Sequence, residues 1–149
     1  MTADSSLDRL LQRARASLTR LNPADAHEAV KNGAVLIDTR PEFRRRADGE
    51  IPGSIVIERN HLEWRLHPAS DARIPEAVDG NVRWIVICDE GYASLLAAST
   101  LQTLGLQATD VIGGFKAWRD AGLPVTPPGA STAPRLAPIS GSSAAADPG

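Results

Sequence analysis

The stretch Ile85-Val-Ile-Cys-Asp-Glu-Gly-Tyr-Ala-Ser94 decides the fold. Its first half continues Trp84 in an unbroken apolar run, the signature of a strand buried on both faces. Its second half gathers acids and small residues around Gly91, and an alanine- and leucine-rich segment then runs to Leu104. The pattern predicts a strand over Trp84–Cys88, a tight turn that Gly91 permits, and a helix over Gly91–Leu104 with Ser94 placed to cap it. Successive backbone N–H groups in such a turn, together with the helix N-terminus, form a positive concavity around the sulfur of Cys88. That environment stabilises a thiolate or the charge of a persulfide.

Working outward, short apolar or β-branched runs predict strands over Ala34–Asp38, Ile55–Ile57 and Ala108–Ile112. Helical patterns lie between them, over Pro23–Lys31, Pro41–Ala47, His61–Leu66 and Gly113–Ala121. Asn22-Pro23 is a strong helix opening, and Gly33, Gly105 and Gly122 are natural stops. Strands alternating with helices of this length imply an α/β fold, a central mostly parallel sheet with helices on both faces. Ligands of such sheets bind beyond the carboxyl ends of the strands, where Cys88 and Asp38 both fall. Before this domain (21–125), Leu7, Leu10, Leu11, Ala14 and Leu18 recur at helical spacing. They predict an amphipathic helix within residues 1–20, capped by Ser5 or Ser6, that packs on the domain or on a second copy as a homodimer. After Val125 the chain turns rich in proline, glycine, serine and alanine, so 126–149 is expected to be a disordered tail.

Composition narrows the function. The length of 149 residues suits one domain. Sixteen basic residues against 18 acidic ones, a net charge of −2, argue against nucleic acid as a main partner. No apolar run approaches the roughly 20 residues of a membrane span, and Met1–Arg20 lacks a signal-peptide core, so no membrane association and a cytoplasmic location are expected. There is one cysteine, Cys88. It cannot form an internal disulfide or a multi-cysteine zinc site, which leaves a buried filler, an intermolecular linker or a reactive nucleophile. His27, His61 and His67 are too scattered for a metal site, and no cofactor is indicated. Trp64, Trp84 and Trp118 are expected in the core or at an interface.

Four segments, in order, resemble the single-domain rhodanese family of sulfurtransferases over about residues 20–125. Asp38-Thr-Arg40 with Pro41-Glu-Phe43 is similar to the family's Asp-x-Arg segment. Gly49-Glu-Ile-Pro-Gly-Ser-Ile55 resembles its Gly-His-Ile-Pro-Gly-Ala turn. Cys88-Asp-Glu-Gly-Tyr-Ala-Ser94 resembles its Cys-x-x-Gly-x-x-Ser loop. Gly113-Gly-Phe-Lys-Ala-Trp118 with Gly122-Leu-Pro124 resembles its ending. The resemblance implies a rhodanese-like three-layer fold and transfer of sulfane sulfur through a Cys88 persulfide. The implied donor is thiosulfate or a low-molecular-weight persulfide, and the implied acceptor a thiol or cyanide. Asp89, Glu90, Gly91, Tyr92, Ala93 and Ser94 would form the binding loop, with the loop amides holding the terminal sulfur's charge.

Asp38, Arg40 and Arg59 are the further candidates for substrate contact. Arg40 is also suited to an ion pair that orders the loops, and Arg44-Arg45-Arg46 reads as a solvated helix face. Three positions depart from the family pattern. Asp89 and Glu90 place two acids beside the thiol, and each unit charge at ~4 Å is worth about 1 kcal/mol in water and several-fold more near a protein surface. Unless both point into water, they oppose the thiolate and repel thiosulfate. Ala93 replaces a residue that is often arginine or a hydroxyl donor, and Glu50 replaces the usual histidine. The alternative is therefore a rhodanese-like binding or regulatory module that has lost turnover. A redox sensor lacks a resolving cysteine in the chain. Cysteine phosphatase chemistry needs an arginine where Ser94 stands.

Overall fold

Local signals place the elements of the computed structural model, which describes residues 5–129. Helix α1, Ser6–Ser17, begins in a reciprocal capping box: Ser5 Oγ accepts the Asp8 N–H, and Asp8 accepts the Ser5 N–H. Asn22 caps α2, Pro23–Lys31, with proline in the first turn as the sequence predicts. The order then runs β1 Val35–Asp38, α3 Glu42–Asp48 and β2 Ile55–Val56. A 3-10 turn at Arg59–His61 leads into α4 Leu62–Leu66, followed by β3 Arg83–Ile87, α5 Ala93–Thr103, β4 Gln107–Asp110 and α6 Gly114–Asp120.

The four strands form one sheet in the order β2-β1-β3-β4, and every pair is parallel. The α/β class and the sheet covered on both faces are therefore as expected. Alternate residues of the central strands face opposite layers. Ile37, Trp84 and Val86 pack with Leu62 and Leu66 of α4 and Ala97, Ala98 and Leu101 of α5. Leu36, Ile85 and Ile87 pack with Ala26 of α2 and Phe115 and Trp118 of α6. Two buried tryptophans fill opposite layers; Trp118 also donates its Nε1–H to the Pro124 carbonyl at 2.9 Å, which fastens the Gly122-Leu-Pro124 segment. Trp64, in contrast, is exposed.

The boundaries move where backbone geometry overrides composition. The helix expected from Gly91 starts at Ala93, because Gly91 has φ +95° and Tyr92 is its N-cap. Ser94 is accordingly not the cap but the second helical residue. Strand β3 ends at Ile87, one residue before the cysteine. Helix α1 lies on α5 with Ala14 buried, while Leu7 and Leu10 at its start remain exposed. Thr126, the first residue of the expected tail, pairs antiparallel with Glu50 through two backbone hydrogen bonds. Residues 130–149, the rest of that expected tail, lie outside the described residues. Among those described, no helix is long and apolar enough to cross a membrane.

Candidate active site

At the carboxyl end of β3, the chain curls so that three donors converge on one sulfur. The Gly91 N–H lies 3.2 Å from Cys88 Sγ, the Ser94 N–H 3.3 Å, and the Ser94 hydroxyl 3.1 Å. The eleven-residue helix α5 starts at this point, so its positive end faces the same sulfur. Cys88 is 7% exposed and Ser94 is fully buried. All three groups donate to Sγ, so the sulfur accepts three hydrogen bonds at the start of a helix, an arrangement suited to negative charge at that point.

The curl is held from behind by α6. The Phe115 N–H donates to the Cys88 carbonyl at 2.7 Å, and the Lys116 N–H to the Asp89 carbonyl at 3.1 Å. This approach requires Gly114, at φ +64°. A Cβ there would lie 2.6 Å from the Cys88 carbonyl oxygen and 2.8 Å from that of Asp89. Phe115 is located in turn by Arg40, whose guanidinium carbon sits 3.7 Å above the ring centre.

Arg40 and Asp38, two of the candidates for substrate contact, pair with each other, the alternative role that Arg40 was suited to. Both are buried, and Arg40 binds the Asp38 carboxylate through Nε and Nη2 and the Gly49 carbonyl through Nη2. The ion pair is fully enclosed, and it links the end of β1 to Gly49 and to Phe115 of α6. Arg59 pairs with Glu63 one turn along, both guanidinium–carboxylate distances being 3.0 Å, so its charge is already engaged. Tyr92 is exposed on the loop. The Ala93 side chain carries no donor, and that part is taken by Ser94.

Asp89 and Glu90 do not simply point into water. Lys116 Nζ of α6 lies 2.9 Å from Glu90 Oε2 and 3.5 Å from Asp89 Oδ2, and Arg44 Nε of α3 lies 4.0 Å from Asp89 Oδ2. The hydrogen bond and charge of Lys116 hold the Glu90 carboxyl below its ordinary value. The hydrogen bond that Lys116 donates to Glu90 and the charge of Asp89 raise Lys116 above its ordinary value. The arginine run is also not a uniform solvated face. Arg44 reaches the cysteine loop, Arg45 pairs with the buried Glu50 at 3.3 Å, and Arg46 pairs with Glu42. The Glu50 substitution is thus absorbed by a local ion pair.

Two contributors escape a sequence reading. Lys116 stands in the Gly113–Trp118 segment, 26 residues from Glu90, and nothing in the spacing announces the contact. Arg20 ends the N-terminal segment yet grips the fully buried Asp110 through Nε and Nη2. The same guanidinium donates to the Gly91 carbonyl at 3.4 Å, so a residue assigned to the extension steadies the loop.

Comparison with known proteins agrees with this geometry. Residues 22–121 match the model of the rhodanese-like domain. A protein of Rhodopseudomonas palustris CGA009, described as of unknown function and a possible tyrosine phosphatase, is 34% identical in a superposition covering 84% of this chain and 97% of that one, at a TM-score of 0.73. A rhodanese-related protein of Thermoplasma volcanium is 30% identical over 73% of this chain and 98% of its own, at a TM-score of 0.59. The polysulfide-sulfur transferase homodimer of Wolinella succinogenes shares the fold at 24% identity, covering 82% and 88%, with a TM-score of 0.66. A parallel sheet that delivers a cysteine into a helix-capped curl, matched over two thirds of the sequence, places this chain in the rhodanese-like domain family.

Proposed function

We propose that this chain is a sulfurtransferase that carries sulfane sulfur on Cys88. The observation that supports it most is the convergence of the Gly91 amide, the Ser94 amide and the Ser94 hydroxyl on one sulfur at the mouth of α5. With thiosulfate, the Cys88 thiolate attacks the outer sulfur, the S–S bond of the donor breaks, and sulfite leaves with the bonding pair. Cys88 then ends in an anionic persulfide. Cyanide attacks the terminal sulfur, leaves as thiocyanate, and returns the thiolate; a thiol acceptor departs as its own persulfide. An alkyl persulfide donor loads the site in the same way and leaves as a thiolate. No net oxidation occurs, and two half-reactions through one covalent form give ping-pong kinetics.

The loop is built for the negative charge that moves between Sγ and the sulfur attached to it. The two acids that speak for an inert binding module are met by Lys116 and Arg44, which weakens that reading. Phosphatase chemistry, named for the R. palustris relative, would use an arginine to clamp phosphate at the end of the loop. Here that position is Ser94, whose hydroxyl serves the sulfur.

The test is the intact mass of reduced protein after exposure to thiosulfate, an alkyl persulfide, a polysulfide or mercaptopyruvate. The expected result is a gain of one sulfur atom, about 32 Da, located on the Cys88 peptide and removed by cyanide. No gain with any of the four donors would leave the binding-module reading in its place.

A further inference from the structure

The acids beside Cys88 are accompanied by an equal number of bases. Asp89 is four-fifths buried. Its Oδ2 faces Lys116 and Arg44, while its Oδ1 has no hydrogen-bond partner among the described residues. Glu90 is more exposed and meets Lys116 at 2.9 Å. Lys116 is thus the cation shared by both acids. Its place is fixed by the main chain, because its own N–H binds the Asp89 carbonyl and the preceding N–H binds that of Cys88. Side chain and backbone of one residue therefore govern both the shape and the charge of the loop.

We propose that Lys116 is a specificity-determining positioning residue of the Cys88 site. By cancelling Asp89 and Glu90 at the mouth, it lets anionic molecules reach a sulfur that the two acids would otherwise guard. Its consequence for donors, a preference for anionic ones such as thiosulfate, rests on the sulfurtransferase reading; its effect on the potential at Sγ does not. Without Lys116, Arg44 alone faces the two acids, and the net negative charge left beside the buried Cys88 repels an incoming anion while leaving a neutral reagent nearly unaffected.

Two alkylating probes separate these effects: iodoacetate, an anion, and iodoacetamide, which is neutral. Rates are measured on the full chain at low ionic strength, at a pH where Cys88 is fully ionised. In Lys116→Gln the iodoacetate-to-iodoacetamide rate ratio is expected to fall about three- to ten-fold, and the deficit to shrink as salt rises. Lys116→Arg should hold the ratio within about two-fold of wild type. The triple variant Lys116→Gln, Asp89→Asn, Glu90→Gln should restore it, although it also lacks the lysine. If Lys116→Gln does not fold, Asp89→Asn with Glu90→Gln on the wild-type lysine should raise the ratio about three-fold or more. An unchanged ratio in Lys116→Gln, a loss that the triple variant does not reverse, or no rise in that fallback variant overturns the proposal. With thiosulfate, KM should rise in Lys116→Gln far more than kcat falls. A shifted alkylation ratio in a protein that no donor loads would keep the role of Lys116 and refute sulfurtransfer instead.

Discussion

Removing one hydroxyl tests how the sulfur is held. In Ser94→Ala the 3.1 Å bond from Oγ to Cys88 Sγ is lost, while the amide bonds from Gly91 and Ser94 at 3.2 and 3.3 Å remain. A hydrogen bond to a charged acceptor is worth about 1.5 kcal/mol at the low end, the end appropriate to sulfur. At about 1.4 kcal/mol per decade, the thiolate fraction at a pH where the thiol is mostly protonated falls about 12-fold. The thiolate that remains is less stabilised and more nucleophilic. With a Brønsted slope near 0.45, roughly three-fold of the loss returns, leaving a net fall of about four-fold. At high pH, where all of the sulfur is ionised, only the second effect operates and the rate should rise about three-fold. The assay is the second-order rate of iodoacetamide alkylation at the two pH extremes. Opposite movements at the two ends are the mark of lost thiolate stabilisation. A fall at both, a rise at both, or no change at either would refute the reasoning and reduce Ser94 to a packing residue.

Gly114→Ala should lower stability by about 2–3 kcal/mol and slow Cys88 alkylation, since the φ of +64° and the 2.6 Å approach to the Cys88 carbonyl both oppose a side chain; thermal unfolding within about 2 °C of wild type would contradict this. Arg40→Met leaves Asp38 buried and unpaired and should cost about 3–5 kcal/mol in urea unfolding, whereas Arg40→Met with Asp38→Leu should cost clearly less; equal losses would show that the charge is not the cause. The Glu90–Lys116 contact carries opposite signs at its two pH limits. Glu90 is depressed below 4.5, so its contribution is present above that pH and fades as pH falls through the lowered value; Lys116 is raised above 10.5, so its contribution holds below that pH and fades as pH climbs through the raised value. An NMR titration of the Glu90 side chain should therefore show a midpoint below 4.5 that returns toward it in Lys116→Gln; the same midpoint in both proteins would rule out the pairing in solution.

The parts of the site that a sequence reveals are those fixed by neighbours along the chain. The apolar run to Ile87, the turn at Gly91 and the helix behind it are local events, and so is the capping box at Ser5. Ser94 reads as a cap because helix-capping chemistry and a hydroxyl aimed at sulfur use the same residue type at nearly the same position. Asp38 ends a strand and Arg40 follows it, which makes both look like ligand contacts. Only burial shows that Arg40 turns inward onto Phe115 and Gly49. The charge balance was hidden for a different reason. Asp89 and Glu90 are adjacent in sequence, but Arg44 and Lys116 come from α3 and α6 on either side, and tertiary packing alone brings four charges together.

On the proposed reading, Cys88 stores one transferable sulfur. This is tested most directly by loading reduced protein with a sulfane donor, removing the excess, and measuring the thiocyanate released by cyanide. About one equivalent per chain is expected from wild type and none from Cys88→Ser. No releasable sulfur in wild type, or the same amount in both proteins, would contradict it.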